Sequence, residues 1–80
     1  MDLYLTDKRV IVTGGSRGIG KGIGKGFLKE GAKVAIIARG KESLDSAASE
    51  LPGVITVQGD MTDEADRERS FQQAVELLGG

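Results

Sequence analysis

The sequence predicts an α/β fold, a three-layer βαβαβα unit that is half of a doubly wound parallel sheet, with strands in the order 3-2-1. Apolar, largely β-branched runs too short to be helices recur at residues 10–13, 33–38 and 54–57. Each run is followed by a segment with apolar residues at helical spacing, and glycines mark most of the changes from one to the next. Strands that alternate with helices form a parallel sheet, because a crossover helix must return the chain to the same end of the sheet.

The first run, Val10-Ile11-Val12-Thr13, stops at Gly14-Gly15-Ser16-Arg17-Gly18 and reopens as a helix over about 19–30. There Ile19, Ile23, Phe27 and Leu28 place one apolar stripe toward the sheet. A helix N-terminus that follows a glycine turn is an anion site. The first amide groups lack intrahelical partners, the macrodipole is positive there, and glycines let a phosphate approach the backbone.

Spacing separates the nucleotide motifs. A full G-x-G-x-x-G would need glycine where Ile23 stands. Gly15 to Lys21 fits G-x-x-x-x-G-K, but Gly22 replaces the Ser or Thr that ligates Mg²⁺ in a P-loop. The complete match is Thr13-Gly14-x-x-x-Gly18-Ile19-Gly20, which resembles the cofactor signature of the short-chain dehydrogenase/reductase family. The wider stretch from Lys8 to Val34 resembles that family's first βαβ unit.

The resemblance implies a Rossmann fold, with residues 1–80 as the N-terminal portion of an NAD(P)-binding domain. It also implies that Gly14, Ser16, Arg17, Gly18, Ile19 and Gly20 hold the dinucleotide. Family members transfer hydride between a nicotinamide and a carbonyl or alcohol, using a downstream Ser, Tyr and Lys. Tyr4-x-x-x-Lys8 has the spacing of that Tyr and Lys, but it precedes the first glycine turn and is read as coincidence. No catalytic residue is therefore assigned, and the isolated chain is expected to be inactive. A P-loop-like phosphate-binding fragment and a noncatalytic folding unit are the alternatives.

Glycine recurs at positions 18, 20, 22, 24 and 26 of the first helix, where an interior glycine costs about 1 kcal/mol relative to alanine. Close packing of helix on sheet is the expected reason for one or two of them. Gly31 is the expected C-cap.

The second strand ends at Ala38-Arg39, with no carboxylate where one would bind a ribose 2′-hydroxyl. A guanidinium suits a 2′-phosphate, so NADP(H) is expected over NAD(H), with Arg39 and Arg17 as its ligands. Leu44, Ala47, Ala48 and Leu51 give a helix over 41–51 one apolar face, and Pro52-Gly53 stops it. After the third strand comes Gln58-Gly59-Asp60-Met61-Thr62. The family resemblance implies that Asp60 accepts from the adenine amino group and that the Met61 N–H meets the ring. Thr62 or Asp63 is the expected cap of a helix over about 63–78, whose buried stripe is Phe71, Ala74, Val75 and Leu78.

Composition bounds the rest. With 80 residues, 39% hydrophobic and 29% charged, the chain reads as one soluble globular unit of at most one domain. A net charge of −1 gives no footprint for nucleic acid or an anionic membrane. Cys 0 and His 0 exclude disulfides and zinc sites built on those residues, and no metal is expected. No secretory leader and no apolar run of ~20 residues is visible, so a cytoplasmic setting is expected. Residues 1–7 read as a lead-in with Leu3 and Leu5 on the sheet edge. The first strand's outer edge is expected to be open, inviting self-association or the remainder of a parent protein.

Overall fold

The computed structural model describes residues 2–6, 8–13 and 18–79, without the side chains of 2–6, 18–21 and 23. Its elements are β1 (Asp2–Thr6), β2 (Arg9–Thr13), α1 (Gly18–Lys29), β3 (Lys33–Ala38), α2 (Lys41–Glu50), β4 (Ile55–Gln58) and α3 (Glu64–Leu77). The sheet runs β1-β2-β3-β4. β2, β3 and β4 are parallel, with Val10 opposite Val34 and Ile37 opposite Val57, so the predicted 3-2-1 order holds.

The sheet is covered on both faces. Val10, Val12, Val34, Ile36 and Ala38 pack with Leu44, Ala47 and Leu51 of the α2 segment and with Phe27 and Leu28 of α1. The alternate residues Ile11, Ala35, Ile37 and Val57 pack with Ala74 and Leu78, at the end of α3. Strand residues that point alternately to two buried faces explain why the strands read as continuous apolar runs. Ile36 and Ile37 are both fully buried, each burial worth about 1.5–3 kcal/mol.

The outer edge of β2, the strand expected from the sequence to come first, is not open, contrary to expectation. β1 pairs with β2 in antiparallel fashion, from Asp2 opposite Thr13 to Thr6 opposite Arg9. The lead-in thus satisfies the backbone groups through which β2 was expected to recruit another chain. Lys8 stands at the amino-terminal end of β2, its carbonyl accepting from the Lys33 N–H at 2.7 Å. That is the opposite rim of the sheet from Arg39 and Asp60.

Three turns fix how the elements follow one another. Gly31 has φ 88°, its N–H donating to the Leu28 carbonyl, while the Ala32 N–H reaches the Phe27 carbonyl. This is a Schellman end, and it turns α1 into β3. Leu51-Pro52-Gly53-Val54 forms a turn with Gly53 at φ 92° and the Val54 N–H on the Leu51 carbonyl. Asp63 caps α3, its Oδ1 accepting from the Ala65 N–H at 3.0 Å.

The interior glycines of α1 are not explained by close packing. A Cβ at Gly22 or Gly26 would meet nothing within 4 Å, and one at Gly24 would make ordinary contact with Leu51 at 3.5 Å. Ala48, expected in the α2 stripe, is exposed. Ser70, which the α3 stripe omitted, is fully buried.

Candidate functional site

In parallel strands all carboxyl ends share one rim, and here those ends are Thr13, Ala38 and Gln58. Ligands of open α/β sheets bind at such a rim. Arg39 and Asp60 follow two of these ends, and a cleft of about 460 Å³ lies between them. It is lined by Arg39, Gln58, Gly59, Asp60, Asp66, Arg69 and Gln73.

Hydrogen bonds tie the cleft together. The Gly59 N–H donates to the Ala38 carbonyl at 3.0 Å, and Gln58 Nε2 donates to the Arg39 carbonyl at 3.1 Å. These bonds lock the end of β4 to the end of β3, which brings Arg39 and Asp60 together. Asp60 Oδ1 accepts from the Thr62 N–H at 2.9 Å and from Thr62 Oγ1 at 2.6 Å. The two Thr62 bonds, side chain first, hold its carboxyl below the usual Asp range, and the Arg39 charge adds to the effect. Asp60 Oδ2 is engaged by no described residue, and none accepts from the Met61 N–H. Among the described residues, one acceptor and one donor without a partner therefore stand side by side in the chain.

The α3 side of the cleft is a network that sequence spacing did not reveal. The Asp60 N–H donates to Asp66 Oδ2 at 2.5 Å. Arg69 Nε donates to Asp66 Oδ1 at 2.9 Å, Nη2 to the Gln58 carbonyl at 2.8 Å and Nη1 to Gln73 Oε1 at 3.0 Å. The Asp60 amide and then the Arg69 guanidinium hold the Asp66 carboxyl below its usual range. An i,i+3 ion pair this open to solvent adds little to stability, so its main effect is geometric.

Of the residues singled out in the sequence, Gly14, Ser16 and Arg17 lie outside the described residues. Gly18, Ile19 and Gly20 form the first turn of α1, so a helix does begin directly after the glycine-rich segment. Arg39 and Asp60 meet at the cleft, with Met61 beside Asp60. No group of three or more Asp or Glu among the described residues is arranged to hold a metal ion.

A family model described as short chain dehydrogenase matches residues 8–80. The chain belongs to the short-chain dehydrogenase family. It is 41% identical over 81 residues to the oxidoreductase YvrD of Bacillus subtilis, covering 99% of this chain and 31% of that one. It is 44% identical over 80 residues to the L-xylulose reductase of Bos taurus, covering 100% of this chain and 30% of that one. Among solved structures, 3-ketoacyl-(acyl-carrier-protein) reductase of Brucella melitensis, complexed with NADH, superposes with a TM-score of 0.82. The identity is 34%, over 95% of this chain and 32% of the other. This short-chain dehydrogenase chain thus spans about a third of the length of these relatives.

Proposed function

We propose that the chain is the adenosine-binding part of an NADP(H)-dependent oxidoreductase that transfers hydride between the nicotinamide and a carbonyl or alcohol. The observation that carries the reading is the open acceptor and donor at Asp60 Oδ2 and the Met61 N–H, beside a cleft that Arg39 shares. Adenine presents the complement on one edge, an amino donor at C6 and an acceptor at N1. Asp60, held ionised by Thr62, is an acceptor only, which matches the amino group.

NADP(H) rather than NAD(H) is favoured by charge at the end of β3. Arg39 is exposed, Lys41 follows it, and Gly40 at the amino end of α2 makes no side-chain cap. A 2′-phosphate there would meet a guanidinium, an ammonium and the positive end of a helix. The diphosphate would rest on residues 14–20, with Gly14, Ser16, Arg17, Gly18, Ile19 and Gly20 as its contacts. Family membership, together with a relative complexed with NADH, supports a nicotinamide dinucleotide as the ligand.

Hydride transfer needs an acid/base group at the nicotinamide. Tyr4 and Lys8 are not proposed for it, since Lys8 lies at the amino-terminal rim. The 80 residues therefore bind cofactor without turnover, the chemistry requiring chain that the relatives have in addition. Calorimetric titration with NADPH, NADH and ATP plus Mg²⁺ tests the reading. NADPH binding tighter than NADH is the expected result, whereas metal-dependent ATP binding or silence with all three overturns it.

A further inference from the structure

The turn that carries Asp60 is held by α3 at more points than a loop connection requires. Asp66 is used through every polar group it has. Its N–H donates to Asp63 Oδ1 at 3.4 Å and its carbonyl accepts from Ser70 Oγ at 2.7 Å. Its two carboxylate oxygens take Arg69 Nε and the Asp60 N–H. Arg69 in turn reaches the carbonyl of Gln58, whose side chain holds the carbonyl of Arg39. One helix turn thus grips the peptides on both sides of Gly59, while the open groups of Asp60 and Met61 are left for a ligand.

We propose that Asp66 and Arg69 are positioning residues for base recognition, clamping Gln58-Gly59-Asp60 so that Asp60 Oδ2 and the Met61 N–H discriminate a 6-amino purine from a 6-oxo purine. The inference rests on the adenosine reading above. A 6-oxo ring, as in hypoxanthine, turns the amino donor into an acceptor and N1 into a donor, so both contacts oppose like with like. Discrimination of this kind depends on the angle of the peptide that carries the contacts. If Asp66 lets go of the Asp60 N–H, the turn can rotate and accept either edge.

The experiment measures the affinity of the 80-residue chain for NADPH and for its hypoxanthine analogue by calorimetry, with folding checked by circular dichroism. The wild-type chain is expected to prefer NADPH by about tenfold, the equivalent of about 1.4 kcal/mol. Asp66→Ala is expected to bring the ratio near one, whereas Asp66→Asn and Arg69→Lys fall between, since the Asn amide oxygen still accepts from the Asp60 N–H but its NH2 no longer accepts from Arg69. A merely structural role would weaken both ligands equally and leave the ratio intact. A folded Asp66→Ala or Arg69→Lys chain with the wild-type ratio overturns the proposal alone. A wild-type chain that binds both equally likewise overturns this proposal alone, whereas one that binds neither dinucleotide overturns the adenosine reading and this proposal with it.

Discussion

A β-carbon added to Gly59 would lie 2.4 Å from the Cβ of Ser70 and 2.5 Å from its Oγ. No side chain fits in that gap, so the contact fixes how closely α3 crosses the end of β4. The cleft depends on this approach, since Asp66 and Arg69 reach Asp60 and Gln58 only from a helix held against the strand.

Gly59→Ala is therefore expected to destabilise the chain by about 1–3 kcal/mol, the usual cost of forcing extra atoms into a packed site. Ser70→Ala does not relieve it, because the Cβ is itself in the way. Ser70→Gly relieves part of it, less about 0.5 kcal/mol of helix propensity. Urea denaturation of the three single and two double variants measures this.

The glycines of α1 lead to the opposite expectation. Gly22→Ala and Gly26→Ala each stabilise by about 0.5–1 kcal/mol, since both positions are helical and the added methyl meets nothing. Gly31→Ala costs about 1 kcal/mol, because its φ of 88° disfavours any Cβ. Thermal melts of the three variants separate the two kinds of glycine.

Asp60 and Asp66 both have carboxyls below the ordinary range, so the unfolded chain binds protons more readily than the folded one. Their contribution to stability is complete above about pH 5 and is lost as pH falls through the ordinary Asp value of ~3.9 and below. Thr62→Val removes the largest cause at Asp60 and flattens the loss. Urea midpoints at pH 7, 5, 4 and 3 give both profiles.

Arg39→Asp is expected to weaken NADPH by about 10- to 150-fold, the range of one charge-assisted hydrogen bond, and to leave NADH within a few-fold. Parallel titrations with the two cofactors measure it. Equal losses for both would remove Arg39 from the 2′-phosphate.

The βαβαβα order was legible because both faces of a covered parallel strand are apolar, and the three runs stand out without any knowledge of contacts. Gly31 and Pro52-Gly53 were legible for a similar reason, each acting on the backbone next to it, and the cap of α3 was narrowed to Thr62 or Asp63, of which it is Asp63. β1 was not, because five residues on an edge gain their order from pairing with β2 rather than from their own pattern. Asp66, Arg69 and Gln73 were missed because their role depends on where α3 crosses β4. The signal that could have shown this was Gly59, a glycine at the end of a strand whose small size admits a helix.

The most direct measurement is an amide nitrogen–proton spectrum of the 80-residue chain titrated with NADPH. Saturable shifts at Arg39, Gly59 and Met61, with one shared affinity and weaker binding by NADH, are the predicted result. Saturation without any shift at Met61 and Arg39, or no binding at all, would contradict the assignment of this rim to the adenosine end of a dinucleotide.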